Sequence, residues 1–123
     1  MNNFLVFQTD FGLGDGAVSA MEGVAFSVNS DLNIRHLTHE ITPFNVFEAS
    51  YRLYQAINYW KEGTVFVSVV DPGVGSDRLS VVVKTVTGQY IVTPNNGTLT
   101  HIAKFVGVEE VRQIDESVNR LKG

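Results

Sequence analysis

The chain has 123 residues, of which 44% are hydrophobic and 18% are charged, and its formal net charge is −4. This length and composition are typical of one globular domain, and the acidic balance disfavours nucleic acid as a partner. The absence of cysteine excludes disulfides, thiolate metal sites and cysteine nucleophiles. The longest apolar runs are too short to span a membrane and no basic segment resembling a signal peptide precedes them. We therefore expect a cytoplasmic protein with a small-molecule ligand and no membrane partner.

The first half of the chain alternates strand and helix patterns. A short apolar run predicts a strand over residues 4–7, and apolar residues at helical spacing predict a helix over about 17–28. Residues 33–37 are typical of a second strand. Residues 46–60 carry adjoining apolar stripes, which predict a second amphipathic helix.

The second half contains the predicted centre of the sheet. Residues 64–70 form a nearly continuous β-branched run, which predicts a strand covered on both faces. Residues 79–86 and 89–92 flank Thr87 and Gly88 and predict a hairpin, followed by a helix at about 97–105 and a last strand near 111–114. The alternation predicts an α/β fold with a mostly parallel central sheet.

Polar residues follow several of these strands. In an open α/β sheet, ligands bind beyond the carboxyl ends of the strands, because the loops converge there. The candidate residues are Asp10 and Asp15 after the first strand, His39 and Phe44 after the second, Asp71 and Arg78 after the third, and Asn95 and Asn96 after the hairpin.

Several of these candidates also suit ordinary structural roles. Asp10 and Asn96, like Asp15, are residue types that commonly cap helices. His39 and His101 fit a surface or helix-face position, and no histidine pair has metal-ligand spacing supported by acids, so we assign no metal. Phe44 either fills the core or stacks on a flat ligand ring.

Asp71 and Arg78 form the most informative pair. Asp71 follows a hydrophobic strand, where it loses solvation, and an arginine in the same loop can keep it ionised through charge-assisted hydrogen bonds. The structural alternative is a salt bridge that only fixes the loop. Glycines at positions 73 and 75 permit close backbone approach to a ligand. The loop matches no phosphate-binding motif, so an uncharged or cationic ligand is favoured.

Five motifs run in order along most of the chain. They are TDFG at 9–12, MEG at 21–23, LTHEITPF at 37–44, GTVFVSVVDPGVGSDR at 63–78 and PNNGTL at 94–99. With these motifs the chain resembles the S-adenosyl-L-methionine hydroxide adenosyltransferases, which are related to the fluorinases and chlorinases. The resemblance implies that residues 1–123 form a three-layer α/β/α N-terminal domain. It also implies a homotrimer, in which a β-rich C-terminal domain absent from this chain completes the site of a neighbouring subunit.

The resemblance also implies a reaction. Water or hydroxide would displace methionine at the ribose C5′ carbon of S-adenosyl-L-methionine, giving adenosine and L-methionine without a cofactor. Asp10 would hold the ribose hydroxyls, with Phe44, Asp71 and Asn95 also contacting the substrate. Asp71 and Arg78 would be two catalytic members of an Asp-Arg-His set.

The chain departs from the family pattern at two places. The family's histidine lies beyond residue 123, and Asn95 stands where the family often has aspartate. Two alternatives therefore stay open. One is a binding module for adenosine or S-adenosyl-L-methionine without turnover. The other is a halogenase. It is less favoured, because the halogenase relatives carry an uncharged tyrosine at the position where this chain has Asp71.

Overall fold

A computed structural model describes residues 2–14, 16–70 and 80–114 of the chain. Strands and helices alternate through most of this part. The strands are β1 (Phe4–Thr9), β2 (Asn33–Thr38), β3 (Val65–Val69), β4 (Ser80–Thr85), β5 (Tyr90–Pro94) and β6 (Val108–Gln113). The helices are α1 (Ala17–Val28), α2 (Val46–Ile57) and α3 (Thr100–Phe105).

The strands form one mixed sheet in the order β2-β1-β3-β5-β4-β6. The pairs β1–β2, β1–β3 and β3–β5 are parallel, whereas β4 is antiparallel to both β5 and β6. The predicted α/β class, the mostly parallel sheet, the hairpin and the inner position of β3 are therefore confirmed.

The largest errors in the predicted boundaries are three residues. Helix α2 ends at Ile57 rather than at residue 60, because the chain then tightens into turns in which the Trp60 amide donates to the Ile57 carbonyl. Helix α3 begins at Thr100 rather than near 97, because the preceding residues form a turn. Strand β6 begins at Val108 rather than 111, directly after Gly107, whose φ of 99° ends the helix.

The main core lies between one face of the sheet and helices α2 and α3. Its seven buried side chains are at most 1% exposed: Val6, Leu53, Ile57, Phe66, Val83, Ile91 and Ile102. Helix α1 lies over the other face, beside Leu5, Phe7 and Val67, so helices cover both faces and the three-layer prediction holds.

The layer under α1 is much less buried than the main core. An open apolar groove of about 450 Å³ lies between α1 and the sheet, and only Val18 of the helix is buried. Strand β3 accordingly alternates between buried and half-buried side chains. The prediction that β3 is covered on both faces holds, although α1 covers the second face less completely than α2 and α3 cover the first.

We expect Val83→Ala to lower the free energy of unfolding by about 2 kcal/mol, because it removes two fully buried methyl groups and leaves a cavity. Val67→Ala is the matched control. Val67 is a half-buried valine in β3 that lines the open groove beside α1, so its truncation should cost about half as much. Urea unfolding monitored by circular dichroism measures both. Equal losses would contradict the unequal packing of the two faces.

Candidate functional site

The candidate site lies at the carboxyl edge of the four parallel strands. The chain passes from β1 to β2 on one side, and then crosses to β3 on the other side of β1. This reversal creates a crevice between the ends of β1 and β3, the position at which open α/β sheets bind ligands. The loops that follow β1, β2, β3 and β5 all begin at this edge.

The loops after β1 and β2 are joined through Asp10. Its Oδ2 accepts a hydrogen bond of 2.7 Å from the backbone amide of Phe44. Helix α1 instead has Gly16 at its N-cap position and no side-chain cap, so a capping role for Asp10 is wrong. One acceptor position of the carboxylate is used in this bond, and a carboxylate has about four.

Phe44 has an unusual backbone conformation and an exposed ring. Its φ is 66°, in the left-handed region that side chains other than glycine rarely adopt. The residue is 61% exposed, so a role as a core residue is wrong. Such conformations persist only where surrounding contacts hold them, and the bond from its amide to Asp10 is one such contact.

His39 makes a second connection between these two loops. Its carbonyl accepts from the Gly12 amide at 2.8 Å, and its Nδ1 lies 2.7 Å from Thr9 Oγ1. His39 is only 5% exposed, so the prediction of a surface position is wrong. Burial, and secondarily the neighbouring His36, lowers the pKa of His39 below its usual 6.5, although Glu22 and Glu40 act in the opposite direction.

Asn96 joins the loop after β5 to the end of β3. Its Nδ2 donates to the Val70 carbonyl at 2.7 Å, while its Oδ1 accepts from the Thr98 amide and from the Thr98 hydroxyl. Helix α3 has Leu99 at its N-cap position, so a capping role for Asn96 is wrong. The neighbouring Asn95 is exposed on the same loop.

Asp10 and Phe44 are thus in contact, whereas three other predicted residues cannot be placed. Asp71 follows Val70 directly in the sequence, but Asp71, Arg78 and Asp15 lie outside the described residues. Within the described ranges, no group of three or more His, Asp or Glu side chains suits a metal ion. No helix in that part of the chain is long and apolar enough to span a membrane.

Sequence reasoning overlooked Gln8, which lies in β1 just before the site. The side chain is buried, and its Nε2 donates to Ser68 Oγ in β3 at 2.9 Å and to the Ala49 carbonyl in α2 at 3.1 Å. It therefore fixes β1 against both neighbours. The sequence signal that could have identified this role is a glutamine at the end of an apolar strand.

We expect Asn96→Ala to lower the free energy of unfolding by about 1–3 kcal/mol, because it removes a bond to the Val70 carbonyl and leaves polar groups unpaired. Asn95→Ala, at the adjacent exposed position, is the matched control and should change stability by less than about 0.5 kcal/mol. Thermal unfolding of the two variants measures the difference. If the two substitutions proved equally costly, Asn96 would not be the link between the loops.

Solved structures and curated proteins resemble this chain. A crystal structure of an uncharacterized conserved protein from Thermotoga maritima superposes with a TM-score of 0.88 at 43% identity, covering 91% of this chain and 43% of that one. An (R)-S-adenosyl-L-methionine hydrolase from Methanocaldococcus jannaschii is 40% identical over 118 residues, which are 93% of this chain and 44% of the relative. The hydrolase of the same name from Salinispora tropica is 35% identical, over 95% of this chain and 43% of its own.

More distant relatives, such as one from Actinopolyspora mzabensis at 25% identity, are named fluorinase; the match covers 92% of this chain and 45% of that protein. The chain thus spans less than half the length of the curated relatives it matches. The family model described as the SAM hydroxide adenosyltransferase N-terminal domain matches residues 5–122. With this match over nearly its whole length, the chain belongs to the SAM hydroxide adenosyltransferase family.

Proposed function

We propose that the protein carrying this chain hydrolyses S-adenosyl-L-methionine to adenosine and L-methionine. The observation that carries this proposal is the Asp10 carboxylate, held by the Phe44 amide at the crevice between β1 and β3. The names of the relatives at 35–40% identity support the same substrate. The chain itself would act as the N-terminal domain, over residues 1–123.

Asp10 would bind the ribose. A carboxylate can accept hydrogen bonds from both vicinal hydroxyls of a ribose ring, and such charge-assisted bonds are the stronger ones. The bond from the Phe44 amide fixes the carboxylate before substrate arrives. Phe44 is exposed, so its ring could offer a flat apolar surface to the nucleoside, and the exposed Asn95 could offer a further polar contact.

Asp71 and Arg78 would position the nucleophile. A sulfonium is a good leaving group, so the main task is to align water with the C5′–S bond. The C5′–O bond forms as the C5′–S bond breaks, the bonding pair leaves with the methionine sulfur, and one proton of the water is released. Arg78 would keep Asp71 ionised, and the histidine of the set would come from outside residues 1–123. No cofactor is needed for this displacement.

The remaining features of this proposal concern the assembly and location of the protein. We infer a cytoplasmic homotrimer in which a C-terminal domain of a neighbouring subunit completes each site. The relatives named hydrolase are more than twice as long as this chain, which supports a further domain in the working protein. No nucleic acid partner is invoked, in keeping with the net charge of −4.

Two other functions have specific support. A module that binds adenosine without turnover would need only the Asp10 carboxylate and the exposed Phe44. A halogenase is favoured by the 25% identity to a fluorinase. The carboxylate of Asp71 opposes it, because two like charges at ~4 Å repel by roughly 4 kcal/mol at an effective dielectric near 20.

We expect the protein, expressed as its gene encodes it, to convert S-adenosyl-L-methionine to L-methionine and adenosine, with adenosine as the only nucleoside product even in high chloride or fluoride. Asp71→Asn and Arg78→Ala should each greatly reduce the rate, because they disturb the alignment of water. Chromatography of the products measures both effects. A 5′-halo-5′-deoxyadenosine would overturn the proposal in favour of a halogenase, and adenosine binding without turnover would overturn it in favour of the binding module.

We expect Asp10→Ala to weaken adenosine binding by about 1–3 kcal/mol, because a charged hydrogen-bond acceptor is lost. Asp31→Ala is the matched control, since Asp31 is an exposed aspartate outside the site. Isothermal titration calorimetry gives the affinities, and circular dichroism verifies that both variants are folded. Unchanged affinity in Asp10→Ala would leave Asp10 only the structural role of holding Phe44.

A further inference from the structure

A line of polar side chains runs from the site edge to helix α1. Thr9 Oγ1 lies 2.7 Å from His39 Nδ1, and His39 Nε2 lies 2.7 Å from His36 Nδ1. His36 Nε2 then lies 3.7 Å from Glu22 Oε1, an ion-pair distance. Thr9 and His39 are buried, whereas the side chains of His36 and Glu22 are 36% and 37% exposed. The line therefore connects a buried hydroxyl with the solvent side of α1.

The donors and acceptors along this line fix its direction when both histidines are neutral. Each ring then has one N–H, and each hydrogen bond needs one donor. If His39 donated to Thr9, His36 would have to donate to His39, and the lone pair of His36 Nε2 would face the Glu22 carboxylate. The opposite direction places an N–H towards that carboxylate. The neutral line therefore runs from the Thr9 hydroxyl through His39 and His36 to Glu22.

One added proton reverses the bond at Thr9. If His39 carries the charge, both of its nitrogens donate. If His36 carries it, His36 donates to His39 Nε2, which leaves the His39 proton on Nδ1. In either case His39 donates to Thr9 Oγ1, which already accepts from the Phe11 amide at 3.1 Å. The hydroxyl proton of this fully buried threonine then needs another acceptor, and leaving it unpaired is costly.

This line holds the turn that carries Asp10. The bond between the Thr9 hydroxyl and His39 Nδ1 and the bond from the Gly12 amide to the His39 carbonyl lie on the two sides of Asp10 in the sequence. Asp10 in turn holds the Phe44 amide. A change at His39 therefore reaches the Asp10 carboxylate through backbone that is bonded on both sides.

We propose that His39 is a positioning residue for Asp10, and that the neutral His36–His39 pair, directed by Glu22, is the state that holds the Asp10 loop for ligand. The identity of the ligand rests on the proposed function, whereas the positioning of Asp10 by His39 does not. The proposal adds a residue pair that touches neither the substrate nor the reacting atoms.

The proposal gives a pH dependence with a definite sign. In the described part of the chain, the titratable groups that act on His39 are His36 in β2, Glu22 in α1 and Glu40 in the loop after β2. Because the folded-state pKa of His39 is lowered from 6.5, its neutral form contributes stability that is complete above about pH 6.5 and is lost as the pH falls through the lowered value. Order in the Asp10 loop should decline in the same window.

Nitrogen NMR of the protein with ¹⁵N-labelled histidine tests the line directly. At pH 8 we expect His39 to carry its proton on Nε2, and on acidification we expect it to gain a proton on Nδ1. Amide exchange at Gly12 and Phe44 should accelerate together with that change. A proton on His39 Nδ1 at pH 8, or exchange rates that do not follow the titration, would overturn the proposal.

Two pairs of variants separate positioning from mere packing. Thr9→Val keeps the shape of the side chain without the hydroxyl, so we expect about tenfold weaker adenosine binding and faster exchange at Phe44. Thr9→Ser should restore both. At pH 8, Glu22→Gln should weaken binding severalfold because the line loses its fixed direction, whereas Glu40→Gln removes the same charge near His39 and should not. If the valine variant matched the wild type, or both glutamine variants behaved alike, the proposal would be wrong.

Failure of the proposed function would look different from failure of this inference. A wild-type protein that binds no adenosine would overturn the proposed function, while the histidine tautomers and the exchange rates at Gly12 and Phe44 would still decide the positioning role. Conversely, if adenosine forms but His39 carries its proton on Nδ1 at pH 8, the proposed function stands and the positioning role of His39 is wrong.

Discussion

The position of β1 between β2 and β3 is the constraint on which the candidate site depends. Because the chain leaves β1 on one side and returns on the other, the carboxyl end of β1 lies at the reversal of strand order. Gln8 holds this strand end with bonds to Ser68 in β3 and to the Ala49 carbonyl in α2. Asp10 follows two residues later, so a buried amide sets the place from which the carboxylate projects.

Within the described residues, the loops after β1, β2 and β5 are held by side chains that bond to the backbone of other segments at this edge. Asp10 accepts from the Phe44 amide, and Asn96 donates to the Val70 carbonyl. Together they connect the loops after β1 and β2, and the loop after β5 with the end of β3. Loop segments that are already held in this way lose less conformational freedom when ligand binds, which favours both affinity and alignment.

The two faces of the sheet contribute unequally to stability. Helices α2 and α3 close one face with side chains that are almost fully buried, whereas α1 leaves an open groove along Leu5, Phe7 and Val67. Weakly buried elements open more readily than the main core. Glu22 lies on α1 and directs the histidine pair, so the least buried layer is coupled to the positioning of Asp10.

The sequence by itself determined the element types, their order, the hairpin around Thr87 and Gly88, and the placement of Asp10 and Phe44 at the carboxyl edge. These features depend on local periodicity and turn chemistry, which short segments contain. Only the tertiary structure decided that His39 is buried and that Asp10 and Asn96 bond other loops rather than helix ends. Their partners lie far away along the chain, with 34 residues from Asp10 to Phe44 and 26 from Val70 to Asn96. A polar side chain next to a strand end can form its hydrogen bonds either with neighbouring residues or with another loop. The packing of the sheet decides between the two, because it brings backbone groups that are distant in the sequence within reach.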